Sequence, residues 1–289
     1  MSNVVVTGSN GDLGQWVVGA LSRAGWQVRC LDHSHPTADL PAEVTAIETD
    51  LTDTGETLEA ILAADPDAVV HLAAVGPQYY APSRVYGNNT LAAYHALTAA
   101  GRVGADIVWT SSEAVYGWVF ATGQVLPDEL PVRVEHSCRP RNQYGVSKVA
   151  AEVTAEAVAR RYNVSVTTIR PSWIQYPGTY ECTDSDGEDL VGNFWSYVDV
   201  RDIVRLIQAA LESPPEGETT VQAAAIDNYV GRPTCELFAD AFETVPAPCD
   251  IVGTESALST ANAATTFDWE PKHTYHQAAT DDVGPWDPW

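Results

Sequence analysis

The chain carries two lysines, Lys148 and Lys272, within a total of 15 Lys and Arg. Lys148 stands in "NQYGVSKVAAE", residues 142–152, four positions after Tyr144. Residues four apart on a helix share a face, so the spacing points Tyr144 and Lys148 the same way. An ammonium beside a phenol favours the phenolate and is expected to lower the Tyr144 pKa from ~10 toward neutrality. Tyr144 is then a candidate general base. A lysine is a compact point charge that fits against a ribose, whereas guanidinium is a broad plane. That difference explains a lysine in a chain that otherwise uses arginine. The plain alternative is a surface Tyr–Lys pair.

A second chemical signature is "TGSNGDLG", with Gly8, Gly11 and Gly14 at T-G-x-x-G-x-x-G spacing and Asn10, Asp12 and Leu13 between them. Such glycines allow a tight turn and close backbone approach to a pyrophosphate, with the N–H groups of the next helix aimed at its phosphates. Asp32 lies 18 residues beyond Gly14, close to the ~20 expected of an acid that binds the adenosine ribose. Its carboxylate would repel a 2′-phosphate, and the adjacent His33 and Ser34 supply no arginine to hold one. The expected cofactor is NAD, with NADP as the alternative. Ser112, in "TSSEAVYG", has a hydroxyl able to donate to or accept from a substrate oxygen. Its neighbour Ser111 reads as a turn serine.

The elements that must position these residues alternate between β-branched runs and Ala-rich helical patterns. Strands are expected at 3–8, 26–32, 44–50, 68–74, 106–112, 164–170 and 219–225. Helices are expected at 13–25, 54–63, 82–101, 144–161, 199–213 and 234–243. The alternation predicts an α/β fold, a doubly wound parallel Rossmann-type sheet with helices on both faces. Ligands in such sheets sit at the carboxyl ends of strands. Past residue 171 the periodicity fails, and 171–195 reads as loop. The expected organisation is a dinucleotide-binding unit at 1–170, with 196–225 returning to it. Residues 171–195 and 226–289 would form a small C-terminal substrate lobe.

Taken together, these motifs resemble the extended short-chain dehydrogenases/reductases, the epimerase/dehydratase-like group. The resemblance is strongest over residues 3–178. "DLTD" (50–53) is similar to the family's adenine-contacting motif, which implies cofactor contacts from Asp50 and Leu51. "HLAA" (71–74) looks like its segment after the fourth strand and implies cofactor contacts from Leu72, Ala73 and Ala74; Pro171 is carried over to the cofactor in the same way, and Gly76 to the substrate. Asn89 falls on the family's helix asparagine. The resemblance implies a catalytic set of Ser112, Tyr144 and Lys148 supported by Asn89, with Asn89, Tyr144 and Lys148 also at the cofactor.

The departures bear on the reaction. Trp173 stands where many nucleotide-sugar members carry asparagine, Glu113 is followed by Ala114 rather than a second acid, and no Lys or Arg occurs between Arg170 and Arg201. A nucleotide diphosphate usually meets arginines or a helix N-terminus. The expected reaction is therefore oxidation of a free sugar (an aldose or a uronate) at C1 to the lactone. Glu113 and Trp173 are candidate sugar contacts, and Arg232 either caps the pocket or pairs with surface acids. Two alternatives stay open: a nucleotide-sugar 4-epimerase with bound NAD, and a non-catalytic NAD-binding sensor.

Composition narrows the partners. The formal net charge is −24 over 289 residues. A field so negative repels nucleic acid and anionic membranes. An even acidic coat with few lysines resembles proteins of salt-loving organisms, in which salt screens the self-repulsion. Five cysteines without a C-x-x-C pair argue for a reducing compartment and against a disulfide framework. No apolar run approaches the ~20 residues that span a bilayer, and "MSNVVVTG" enters a strand directly, so a cytoplasmic location is expected. His71 reads as a core histidine. The pairs His33/His35 and His273/His276 show no partner carboxylate or cysteine at ligand spacing, so no metal is expected. A homodimer through the helices near 82–101 and 144–161 is expected.

Overall fold

The structure is a computed structural model and describes residues 2–36, 40–183 and 191–289. Nine strands and eight α-helices follow one another along these residues. They are β1 (Asn3–Thr7), α1 (Asp12–Arg23), β2 (Gln27–Asp32), β3 (Val44–Glu48), α2 (Thr54–Ala64), β4 (Ala68–His71), α3 (Pro82–Val103), β5 (Asp106–Thr110) and α4 (Gln143–Tyr162). There follow β6 (Val166–Pro171), β7 (Trp173–Gln175), β8 (Tyr197–Asp199), α5 (Val200–Glu212), β9 (Glu218–Ala223), α6 (Thr234–Phe242), α7 (Ala261–Phe267) and α8 (Tyr275–Ala278).

Seven strands form one parallel sheet in the order β3-β2-β1-β4-β5-β6-β9. Strands such as "VVV" in β1 are buried on both faces, which is why they read as continuous apolar runs. One face packs α1 and α5 around Trp16, Leu21, Ile203 and Ile207. The other packs α3 and α4 on the sheet around Leu97, Trp109, Ala155 and Val166. Strand order reverses direction at β1 and β4, the point in such sheets where a crevice opens for ligand. The helix starts follow local chemistry. Asp53 accepts hydrogen bonds from the Gly55 and Glu56 N–H groups to cap α2, and Pro82 opens α3.

A third apolar cluster lies beyond the sheet's carboxyl edge, around Tyr116, Trp118, Phe194, Tyr197 and Phe238. Here the expected loop at 171–195 is corrected. β7 pairs in parallel with β8, Trp173 opposite Tyr197, to make a two-stranded sheet. Three-residue strands are too short to show a period of two. Residues 184–190 of that stretch lie outside the described residues.

Cys235 and Cys249 are free thiols brought to 2.9 Å between sulfurs, a proximity made by tertiary contacts that sequence spacing does not reveal. His33 Nδ1 lies 2.8 Å from Asp32 Oδ1, His273 Nδ1 2.9 Å from Asp202 Oδ1, and His35 Nε2 3.6 Å from Glu48 Oε2. These histidines therefore do have carboxylate partners. Among the described residues no group of three potential ligands could hold a metal ion, and no helix is long and apolar enough to cross a membrane.

The segment 283–289 straps the outer side of α1. Trp289 packs 6.0 Å from Trp16 between ring centroids, Arg23 lies over the Trp289 ring, and Arg23 Nη1 donates to the Pro285 carbonyl at 3.1 Å. Gly19 makes the close approach possible: a Cβ there would meet the Pro285 oxygen at 2.2 Å. Alanine is the better helix former by ~1 kcal/mol, yet forced overlap costs about 1–3 kcal/mol. The Gly19→Ala protein is expected to melt a few degrees below wild type in a thermal scan, despite its improved helix propensity.

Candidate active site

The turn after β1 is built from glycines for steric reasons. Gly8 has φ +68°, and a Cβ on it would stand 2.6 Å from the Ala73 nitrogen. A Cβ on Gly14 would stand 2.1 Å from the Gly8 oxygen. Thus the first turn folds back on itself and presses against the 72–74 segment after β4. Gly11 is the N-cap of α1 and has no side chain to occupy the free N–H groups of the first turn, where Asp12 and Leu13 lie. That leaves a backbone cradle suited to a pyrophosphate. Asp32 ends β2 with its Oδ2 accepting the Asn10 N–H at 3.0 Å, and Asn10 Nδ2 donates to the Ser34 carbonyl at 2.6 Å. These bonds bring Asn10, Asp32, His33 and Ser34 to one edge of the crevice. Further along, Asp50 Oδ1 accepts from the Thr52 N–H and hydroxyl, which holds its carboxyl below the usual range, and Leu51 is buried beneath it. The residues present therefore fit a dinucleotide with an unphosphorylated adenosine ribose.

At the other end of the crevice is a cavity of about 820 Å³. Leu13, Leu72, Ala74, Gly76 and Pro171 line its cofactor side. Ser112, Glu113, Tyr144, Lys148 and Trp173 line its interior, and Trp118, Phe120, Gln124, Asn193 and Phe242 extend it toward the third apolar cluster. Ser112 follows β5 and caps the short 3-10 turn Glu113–Tyr116, its hydroxyl accepting the Ala114 N–H at 3.1 Å. Tyr144 and Lys148 share a face of α4, as the spacing requires, and the Ser112 hydroxyl is hydrogen-bonded to the Tyr144 phenol.

The electrostatics differ from the sequence-based expectation. Burial pushes the Tyr144 phenol up to about 12, with the Ser112 hydrogen bond opposing it. Lys148 does not offset this burial. Its Nζ donates to the Thr110 carbonyl at 2.8 Å and stands 5.6 Å from the Tyr144 ring centroid. Burial lowers Lys148 itself to about 8, with the Glu152 charge acting in the opposite direction. The expected depression of Tyr144 by Lys148 is thus corrected: desolvation of both groups outweighs their attraction. His71, at the end of β4, is held neutral, lowered to about 3 by burial and then by Lys148, and is hydrogen-bonded to the Thr7 hydroxyl at 2.7 Å.

Asn89, on α3, acts on backbone. Its Oδ1 accepts the Val75 N–H at 2.8 Å and its Nδ2 donates to the Val75 carbonyl at 3.0 Å. It fixes the segment between Ala74 and Gly76 instead of reaching the cavity. Arg232 is also corrected. Its Nη2 binds Asp240 Oδ2 at 2.7 Å on an exposed surface, and it does not line the cavity. The nearby acids of α6, Glu236 and Asp240, hold it there.

Several positioning residues escaped the sequence reading. Gly145 lets α4 start against the 3-10 turn: a Cβ there would meet the Ala114 oxygen at 2.5 Å. Asn142 caps α4, accepting the Gly145 N–H at 2.9 Å, and donates to the Val119 carbonyl at 2.9 Å. Behind the site, Glu152 binds Arg170 through two hydrogen bonds of 2.9 and 2.8 Å and accepts from Ser111 at 2.6 Å. Asn142, an N-cap residue type three positions before Gly145, was the one local signal for any of these.

The model of the NAD dependent epimerase/dehydratase family matches residues 4–185. The chain belongs to this family. NAD is accordingly the cofactor. Among curated proteins, the UDP-glucose 4-epimerase of Streptococcus mutans serotype c is 29% identical over 177 residues, 58% of this chain and 50% of that protein. The chain thus spans half the length of the curated relative it matches. The family's fold recurs in a UDP-glucose 4-epimerase of Thermotoga maritima solved with UDP-glucose. Its TM-score is 0.72 at 21% identity, with 96% of each chain covered. It recurs in a short-chain dehydrogenase/reductase superfamily protein of Agrobacterium tumefaciens with bound NAD, with TM-score 0.73 at 21% identity, covering 96% of this chain and 94% of that one.

Lys148 in this family member occupies a tight slot, 5% exposed, with its amine on the Thr110 carbonyl. Arginine would keep a charge but needs a wider plane and other donor directions. A displacement of ~1 Å at reacting atoms can cost on the order of a hundredfold in rate. Lys148→Arg is expected to lose about that much in kcat and to weaken NAD binding, read from steady-state kinetics and cofactor titration at equal salt.

Proposed function

We propose that this protein is an NAD-dependent nucleotide-sugar 4-epimerase. The observation that carries the reading is the cavity of about 820 Å³ with Ser112, Tyr144 and Lys148 at one end. It is roomier than one sugar ring needs, and an epimerase must let an oxidised sugar turn over before it is reduced on its other face. The aromatic face of Phe242, which also lines the cavity, suits a nucleobase. The named relatives that act on UDP-glucose support the same substrate class. This reading displaces free-sugar oxidation, the expectation from sequence. Residues 171–195 and much of 226–281 would serve as the substrate lobe, while 283–289 return to α1.

Bound NAD supplies the hydride acceptor and a positive nicotinamide ring. Ser112 holds the reacting sugar oxygen by hydrogen bond. Tyr144 takes the proton from that hydroxyl as the carbon is oxidised, and returns it once the sugar has turned. Lys148, fixed on the Thr110 carbonyl, orients the cofactor ribose. Asn89 holds the Val75 backbone that borders the cavity.

One observation favours a second reading. Among the described residues that line the cavity, the carboxylic and basic side chains are Glu113, Lys148 and Glu181, so no arginine meets a diphosphate there. A free aldose or uronate oxidised at C1 needs none. Incubation with UDP-galactose or UDP-glucose, and separately with free aldoses plus added NAD, decides between them. Interconversion of the UDP-sugars without net gain at the reduced-nicotinamide absorbance is expected. Absorbance growth with a free aldose, and no interconversion, would establish the second reading. We also propose a homodimer across α3 and α4, where Tyr86, Tyr94, Val146 and Val153 are exposed; a monomer mass by light scattering would refute it.

A further inference from the structure

Glu113 is the acid nearest Ser112, and its surroundings are unusual for a carboxylate. It is 3% exposed and lines the cavity. Its Oε1 accepts the Ser172 hydroxyl at 3.1 Å. Its Oε2 is buried and accepts no hydrogen bond. The indole Nε1 of Trp118, in the same cavity wall, is likewise buried and faces Glu113 outside strict hydrogen-bond geometry. Among the described residues no lysine, arginine or histidine pairs with Glu113.

We propose that Glu113 is a protonated hydrogen-bond donor in the cavity wall, which holds an acceptor oxygen of the sugar beside the one at Ser112. The inference rests on the reading of the substrate as a sugar. A buried carboxylate without a cation is costly, and a group in that position keeps its proton instead. Burial pushes Glu113 up to about 8, with Ser172, Trp118 and the Trp173 backbone opposing the shift. The neutral acid has one O–H to give. The Trp118 indole faces Glu113 itself, so the acid's O–H is the buried donor left without a protein acceptor, and it calls for an acceptor from the ligand. A sugar hydroxyl or ring oxygen meets that need, and the O–H of a carboxylic acid discriminates strongly against an analogue that lacks the oxygen. The other titratable groups facing this cavity are Tyr144 and Lys148 on α4, and Tyr176 and Glu181 beyond β7. Lys148 is turned to the Thr110 carbonyl, so it does not neutralise Glu113.

The linkage has a definite sign. A carboxyl raised from its ordinary 4.5 to about 8 gives stability that is complete below pH 4.5 and lost as pH rises through 8. Glu113→Gln removes this slope and keeps an N–H donor.

The test is infrared difference spectroscopy on the NAD-loaded protein, wild type minus Glu113→Gln. The expected result is a protonated-carboxyl C=O band at pH 7 that disappears between pH 7 and 9 and shifts when UDP-galactose or a free aldose is added. This readout needs no turnover, so it is independent of which reaction the protein catalyses. A missing band at pH 7, or a band that no sugar moves at saturation, overturns the proposal. With whichever sugar is turned over, KM of the wild type should rise from pH 7 to 9.5 by at least tenfold more than KM of Glu113→Gln does. An equal pH dependence of KM in both proteins also overturns it.

Discussion

Tyr144→Phe is expected to lower kcat by at least about a thousandfold, within the range that a positioned acid–base group contributes, with NAD still bound at near wild-type affinity. Phenylalanine keeps the ring that packs edge-on against Phe120, at 6.2 Å between centroids, so folding should be unaffected. What disappears is the hydroxyl that hydrogen-bonds Ser112. The phenol is pushed up to about 12 in the protein alone. Deprotonation therefore waits for added positive charge nearby, and the pH dependence of kcat should titrate well below that value only in the loaded enzyme. Steady-state kinetics on the variant, beside a cofactor titration, measure both quantities. A kcat within tenfold of wild type would remove Tyr144 as the base.

Glu152→Ala is expected to destabilise the fold by about 3–5 kcal/mol, the usual cost of stranding one member of a buried ion pair. Its carboxylate receives Arg170 Nε and Nη2 and the Ser111 hydroxyl. Arg170 also donates from Nη1 to the Tyr116 hydroxyl at 3.0 Å and the Val134 carbonyl at 2.8 Å. The pair thus ties α4 to β6 and to the turn that carries Ser112. Removing the acid leaves a guanidinium 7% exposed without its counter-charge. Urea denaturation at fixed salt measures the loss; a change below about 1 kcal/mol, the worth of a surface pair, would contradict it. Glu152 also raises the Lys148 pKa by its charge. The milder Glu152→Gln should therefore lower the Lys148 pKa further, a shift that a merely structural contact would not produce.

What was legible in the sequence is what depends on neighbours along the chain. The glycine turn, the end of β2 at Asp32 and the Tyr144–Lys148 spacing are local geometry, and the structure places them together at the carboxyl edge of the sheet. The buried strands declared themselves as apolar runs. What was not legible depends on distant partners. The Lys148 ammonium was expected to act on Tyr144, but its direction is set by the Thr110 carbonyl, 38 residues away. Arg232 was drawn to Asp240 once α6 formed. Glu113 reads as an ordinary loop acid until the Trp118 and Trp173 side of the cavity closes over it. β7 and β8 are each too short to pattern, and only their pairing defines them.

The strap on α1 has a consequence for biosynthesis. The Arg23 guanidinium and the Pro285 carbonyl that it holds are 262 residues apart. Translation at ~5–20 residues per second separates their emergence by roughly a quarter of a minute to nearly a minute. During that time the helix that begins at the cofactor turn stands with Trp16 and the Gly19 groove uncovered. A ribosome-bound chain should therefore hold a formed but unsealed first βαβ unit. Chaperone contacts mapped on stalled nascent chains should cluster on α1 and vanish once residues 285–289 have cleared the exit tunnel.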